Sequence, residues 1–344
     1  MNAALAPAPR VRVVIVNFRT GGHVVACLRT LAPEVAALGH VEAVVVDNCS
    51  EDDSVEVIGR AIEREGWQAW AQVVAAPVNG GFSYGNNFAV RPALAGPAAP
   101  EYFWLLNPDT ELRPRALREL LAFTEARPQV GITGSSFEIA TGELWPHAFR
   151  FPSIWSEIAS ALRLRFVGRL LSRHVGLLTM GDQPERVDWL PGASLLVRRA
   201  VFEQVGLMDE GYFLYFEETD FCLAAARAGW QCWYVPASRV MHIAGQSTGI
   251  TTPGAVPGRR PGYWFESRRR YWIKHHGWLY AATTDLAWIV CHSLWQVRRV
   301  MQRKPRTDPP YLLLDFMRNS ALLHTSMPGN RMLTDTARDN SAIA

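Results

Sequence analysis

Carboxylates at three places in the chain have the company that chemistry needs. Glu217, Glu218 and Asp220 crowd behind the aromatic run Phe213, Tyr215 and Phe216. Aromatic neighbours desolvate a carboxylate and raise its pKa, as a general base for a hydroxyl requires. The same acids in a first helical turn would also stabilise that helix through its dipole and do nothing else. Asp109 lies in Asn107-Pro108-Asp109-Thr110, where a carboxylate beside an amide could hold Mg²⁺ or Mn²⁺ against a diphosphate. His242 could add an imidazole ligand, which favours Mn²⁺. Asp47 can accept a hydrogen bond from the imide N–H that distinguishes uracil and thymine from cytosine; its plain alternative is a cap for the helix beginning near Asp52.

Elements that alternate in period must position these groups. Val11 to Val16 and Val41 to Val46 are continuous apolar runs flanking an amphipathic stretch from His23 to Leu38, which predicts β-α-β. A helical stretch Asp52 to Glu65, a run Trp70 to Ala76, a helix after Phe82 and a run Tyr102 to Leu106 continue the alternation. The expected fold is α/β, with a mostly parallel sheet covered on both faces. Ligands then sit outside the carboxyl ends of the strands. Those ends carry Asn17, Asp47-Asn48, the loop Asn79 to Asn87 and Asn107-Pro108-Asp109. Gly131 to Asp188 is irregular, and Trp189 to Val197 reads as a loop feeding a strand. Phe213 to Phe216 is strand-like, Glu217 to Ala228 a helix and Gln231 to Val235 a strand, with His242 shortly beyond. Gly245 to Gly262 reads as a mobile loop before a basic helical remainder.

Composition narrows the function. The 344 residues carry 35 basic and 32 acidic side chains, too balanced for a protein that grips a phosphate backbone, so nucleic acid is excluded as a partner. Five cysteines without CxxC spacing suggest neither a disulfide framework nor a cysteine zinc site. The Ala/Pro-rich residues 1–10 read as a disordered lead without a signal peptide, which places the chain in the cytoplasm. Neither GxGxxG nor GxxxxGK[ST] occurs, and dehydrogenases and P-loop NTPases lose ground accordingly.

The ordered set Val14-Ile15-Val16-Asn17-Phe18, Val46-Asp47-Asn48-Cys49-Ser50-Glu51-Asp52, Asn79-Gly80-Gly81-Phe82 with Asn86-Asn87, Asn107-Pro108-Asp109, Gly192-Ala193 and Glu217-Glu218-Thr219-Asp220 resembles family 2 glycosyltransferases of the GT-A fold, in their bacterial rhamnosyltransferase-like branch. The resemblance covers roughly Arg10 to Gly277. It implies an inverting transferase that uses a dTDP- or UDP-linked sugar, possesses a divalent cation (Mn²⁺ or Mg²⁺) and builds cell-surface polysaccharide on a glycan or polyprenyl-linked acceptor. It further implies a catalytic domain over 11–245, with a nucleotide-sugar half to 130 and an acceptor half from 131, followed by a loop and helical extension over 246–344. Asp47 becomes the base-recognition residue, with Asn17 and Arg19 beside it and Asn79, Gly80, Asn86 and Asn107 along the nucleotide sugar. Asp109 matches the last acid of the metal-binding DxD, whose first acid is here Asn107, and His242 falls at a metal-ligating position. Glu218 matches the general base, with Glu217 the second choice, and Trp189, Gly192 and Asp220 fall on the acceptor side. Arg268, Arg269 and Arg270 are candidates for help at the departing diphosphate.

Two other classes compete. A nucleotidyltransferase would show an early Gly-rich basic loop, and Asn-Phe-Arg-Thr-Gly-Gly after the first strand lacks its lysine. A non-catalytic sugar-nucleotide-binding protein would not need the acidic cluster at 217–220. The last expectation concerns residues 278–306. Leu279, Leu286, Val290, Leu294, Val297 and Met301 recur at helical spacing, flanked by Trp278, Trp288 and Trp295 and followed by Arg303, Lys304 and Arg306. The stripe either packs on the core or makes a peripheral membrane contact at the inner face of the plasma membrane.

Overall fold

The computed structural model describes residues 10–139, 142–174, 176–178, 180–243 and 258–328. The lead expected over residues 1–10, except Arg10, and most of the loop expected over 245–262 lie outside the described residues. In chain order the strands are β1 Val11–Asn17, β2 Val41–Asp47, β3 Ala71–Ala75, β4 Tyr102–Leu106, β5 Thr110–Leu112, β6 Val130–Glu138, β7 Leu144–Trp145, β8 Glu185–Val187, β9 Ser194–Arg198 and β10 Gln231–His242. The helices are α1 Gly21–Leu38, α2 Ser54–Arg64, α3 Gly81–Ala95, α4 Ala116–Glu125, α5 Ile154–Leu162, α6 Arg165–Leu170, α7 Arg199–Val205, α8 Glu217–Arg227, α9 Gly262–His276, α10 Trp278–Met301 and α11 Leu312–Arg318.

The sheet runs β3-β2-β1-β4-β9-β6-β10-β5. Strands β3, β2, β1, β4, β6 and β10 point one way, while β9 and β5 run against them. Alternate side chains of the apolar runs feed two cores, as a strand with period two must when both faces are covered. Val13, Ile15 and Val45 pack with Leu28 and Leu31 of α1, whereas Val14, Val44 and Val46 pack with Val90 of α3 and Phe103.

Register brings the polar ends together. Asn17 lies opposite Asp47 across the β1–β2 pair, and Leu106 opposite Ser194 across β4–β9, so Gly192 sits at the end of β4. His242 belongs to β10, which continues past Val235 through a register shift, and it pairs with Thr110 beside Asp109. Phe213 to Phe216 is not a strand: Tyr215 and Phe216 adopt left-handed φ of 71° and 68° in the turn that delivers α8. The interval after Gly131 also holds more than irregular chain, since β6 and α5 occupy it, α5 opening with a capping box between Ser153 and Ser156.

The C-terminal helices pack on the loop that carries the acids. Lys274 Nζ of α9 donates to Asp209 and Asp220, Arg270 clasps Asp209, and Ser267 Oγ donates to Leu214 O. Tyr271 and Trp264 flank Phe216. The buried Arg268 joins Glu157 of α5 to Asp285 of α10. The three arginines considered for a diphosphate are thus committed to helix packing, Arg269 through Asn319 O. Along α10 the outward row Leu279, Leu286, Val290, Leu294, Val297 and Met301 is exposed, and the helix instead buries Ala281, Ala282, Asp285, His292 and Trp295. Among the described residues no helix is long and apolar enough to cross a membrane.

Candidate active site

A cleft of about 370 Å³ opens on the carboxyl edge of the sheet. It is lined by Asn107 and Asp109 after β4, His242 of β10, Gly192 before β9, and Glu217 and Glu218 at the start of α8. Phe82, Trp145, Phe149, Trp189 and Tyr215 supply aromatic walls. Six segments that are distant in sequence therefore converge on one space.

Glu217 is buried and Glu218 half-buried, and each keeps an Oε2 with no hydrogen-bond partner. Burial raises the pKa of both, and the neighbouring Glu218 charge pushes Glu217 higher still. Gly192 N lies 3.4 Å from Glu218 Oε1, a long contact that holds the carboxylate toward the cleft. Gly192 has to be glycine because a Cβ would come within 2.7 Å of the Phe82 ring. Asp220 is turned away from the cleft: Tyr212 Oη, Lys274 Nζ and the His275 ring all engage its carboxylate. The acceptor-side role expected of it is replaced by an anchor for α8.

Asp109 Oδ1 and His242 Nε2 face each other at 3.4 Å. Neighbouring ligands of one octahedral Mn²⁺ or Mg²⁺, each at roughly 2.1 Å, stand about 3 Å apart, so the pair fits a shared cation. His242 is sandwiched by Phe137 and Trp145, and its Nδ1 is buried without a partner. No group of three or more His, Cys, Asp or Glu suitable for a metal occurs among the described residues, so water or substrate oxygens would complete the shell.

The residues expected on the nucleotide side begin at the ends of β1 and β2, one and two strands from β4. Asp47 Oδ1 accepts from Asn17 Nδ2 at 2.7 Å and from Ser50 Oγ at 2.5 Å, and Asp47 Oδ2 accepts from Ser50 N at 3.0 Å. Asp47 therefore folds its own loop rather than capping α2, whose N-cap is Asp53. Asn17 is wholly buried and its Oδ1 accepts from Thr20, so it braces Asp47 and does not line an open pocket. Arg19 is exposed with φ 57°, its Nε donating to Ser50 O and its guanidinium over Phe18. Asn79 Oδ1 accepts from Asn48 Nδ2 and from Gly81 N. Asn86 Nδ2 donates within its own helix to Phe82 O. Gly80 and Gly81 permit close approach: Phe82 N donates to Phe213 O, and a Cβ on Gly81 would stand 1.9 Å from that oxygen. Sequence reasoning gave no individual role to Asn48, Ser50, Phe82 or His147. Asn48 and Ser50 adjoin Asp47 and Phe82 closes the Asn79-Gly80-Gly81 motif, so these three carried a signal; His147 lies in the stretch without periodicity and carried none.

A mostly parallel sheet with β9 and β5 running against it, whose carboxyl edge gathers Asp47, Asp109, His242 and the acids that open α8, has the GT-A fold. Solved structures with that fold include the mannosyltransferase PcManGT from Pyrobaculum calidifontis in complex with GDP-Man and Mn²⁺ (TM-score 0.52, 16% identity, 93% of this chain and 83% of that one). GalNAc-T7 with UDP, GalNAc and Mn²⁺ is a second (TM-score 0.56, 15% identity, 86% and 55%). The chain belongs to the glycosyltransferase like family 2, whose profile matches residues 8–254. It is 30% identical over 248 residues to the N-acetylglucosaminyl-diphospho-decaprenol L-rhamnosyltransferase of Mycobacterium tuberculosis, spanning 69% of this chain and 77% of that protein. Rhamnosyltransferase WbbL of Escherichia coli K12 is also 30% identical, over 48% of this chain and 61% of its own length. The protein is a glycosyltransferase.

Proposed function

We propose that this enzyme transfers a sugar, L-rhamnose foremost, with inversion, from a dTDP- or UDP-linked donor to a hydroxyl of a glycan or polyprenyl-diphosphate acceptor at the inner face of the plasma membrane. The observation that carries the reading is the half-buried Glu218 carboxylate, its Oε2 without a partner, lining the same cleft as Asp109 and His242. Residues 11–130 serve the donor and 131–245 the acceptor. The names of the relatives support rhamnose and the lipid diphosphate.

The acceptor hydroxyl loses its proton to Glu218 as its oxygen attacks the anomeric carbon from the face opposite the leaving nucleotide diphosphate. Burial has already raised the affinity of Glu218 for that proton. Glu217, still more proton-loving, supplies a neutral O–H to the sugar or acceptor. Trp189, stacked on Phe149, and Trp145 present flat faces to sugar C–H groups. Asp47 receives the base imide, held in place by Asn17 and Ser50. Asp109 and His242 would hold a divalent cation, which would offset the charge of the diphosphate. The outward row of α10, with Arg303, Lys304 and Arg306 exposed at its end, rests on anionic lipid.

The test incubates purified protein with dTDP-L-rhamnose and a panel of UDP-sugars, a polyprenyl-diphosphate N-acetylglucosamine acceptor, and Mn²⁺ or Mg²⁺, and reads the anomeric configuration of the product by NMR. An inverted linkage that chelator and Asp109→Ala abolish is expected. Full transfer in chelator removes the cation from the reading, and a retained anomer removes the single-base mechanism.

A further inference from the structure

The stretch after β7 contains a short helix that no interior holds. Neither α6 nor the 3-10 turn Ser172–His174 that follows it has a buried residue. Phe166 and Leu170, one turn apart on one face of α6, are 66% and 79% exposed. Isolated helices below about 12 residues are marginal in water, so an apolar face on one this short calls for a partner surface. Charge indicates which. Arg163, Arg165, Arg169 and Arg173 fall in this stretch, and no acid occurs between Glu157 and Asp182. The helix is also fixed in place beside α10. Arg163 pairs with Asp308, and Arg298 Nη2 donates to Leu162 O and Arg163 O at 2.8 and 3.0 Å. The start of α6 is thereby held next to the end of α10, where Val297 and Met301 point outward and Arg303 and Lys304 are exposed.

We propose that residues 163–174 form a second lipid-contact element, which inserts Phe166 and Leu170 into an anionic bilayer while Arg165, Arg169 and Arg173 meet lipid phosphates. The inference rests on the reading that the enzyme works at a lipid surface, and it adds an element outside residues 278–306. Its place explains what the element is for. Leu177, just beyond the turn, bridges to Phe149, whose ring stacks on Trp189 at 4.3 Å in the cleft wall. The lipid-contact element and the acceptor side of the cleft are thus joined through a short stretch of chain, which presents a membrane-embedded acceptor to the site.

Flotation of the full-length protein with vesicles of equal parts phosphatidylglycerol and phosphatidylcholine, against phosphatidylcholine alone, tests this. Phe166→Ser with Leu170→Ser should lower partition onto the anionic vesicles about tenfold. Arg165→Gln, Arg169→Gln and Arg173→Gln together should lower it about a hundredfold at low salt, since each basic group near such a surface contributes roughly 1 kcal/mol. Thermal midpoints should not move, because none of these side chains is buried. Wild-type partition by both α6 variants, with loss of binding in Val290→Ser, Leu294→Ser, Val297→Ser, overturns the proposal and leaves a lipid contact through α10. Failure of the wild-type protein to bind anionic vesicles overturns both. A dimer that the α6 variants convert to monomer without changed partition assigns the face to a second copy and also overturns the proposal.

Discussion

Asp47 and the Glu217–Glu218 pair are buried carboxylates on one edge of one sheet, and they are treated in opposite ways. Asp47 receives hydrogen bonds from Asn17, Ser50 Oγ and Ser50 N, so that its loop is folded around it. The glutamates keep an unpartnered Oε2 each, and burial raises the pKa of both. A buried polar atom left unmade is expensive, and the expense is borne where protons move. One carboxylate is spent on folding its loop; the other two keep an oxygen free, as the proposed reaction requires.

The contrast is sharpest if stability and turnover respond in opposite places. Glu218→Gln should lower turnover by about two to four orders of magnitude while donor affinity and melting temperature hold, as for loss of a general base. Wild-type-like turnover would move the role to Glu217 or dissolve it. Asp47→Ala should cost about 3 kcal/mol of stability besides weakening donor binding, because three donors lose their acceptor. An unchanged urea midpoint would show that the loop folds without the carboxylate. Gly81→Ala joins the two regions: at φ 84°, with Phe213 O in the way, it should cost about 2 kcal/mol and displace the turn that carries the glutamates, lowering turnover as well.

The smallest effect concerns protons. The folded state raises the pKa of Glu217 above its unfolded value, so stability is highest below the ordinary glutamate range and falls as pH rises through the folded pKa. Glu217→Gln should remove that slope and raise the melting temperature at neutral pH by a few degrees. For Glu218 the same sign appears in kinetics: the acid limb of the rate profile should lie above the ordinary glutamate pKa of about 4.3. A limb at the ordinary value would mean that the carboxylate is wetter in the working enzyme than burial implies.

Much of this was legible in the sequence. The alternation of Val11 to Val46 gave the β-α-β start because continuous apolar runs and amphipathic stretches differ in period, and the polar ends of those runs pointed to the site edge. Asp109, Glu217 and Glu218, far apart along the chain, line one cleft, with Asp47 at the end of β2 on the same edge of the sheet. Asp220 misled, because a helix-start acid looks alike whether it faces a cleft or, as here, Lys274 and His275 more than fifty residues later. His242 was placed beyond its strand because Pro236 interrupts the run, while the structure absorbs that proline in a register shift. The arginines at 268–270 had no way to show, in sequence, that Glu157, Asp285 and Asp209 would claim them.

The clasp of α9 on the Asp209–Asp220 segment has a consequence for the order in which the protein is made. A chain leaving the ribosome can assemble β1 to β4 and the Asp47 loop early, since their partners are close in sequence and the amino-terminal part emerges first. The turn through Tyr215 and Phe216 must wait until Ser267, Arg270, Lys274 and His275 have emerged to hold it. On the proposed function, the nascent chain would complete the donor half well before residues 267–275 emerge, and would be able to activate a hydroxyl only after them.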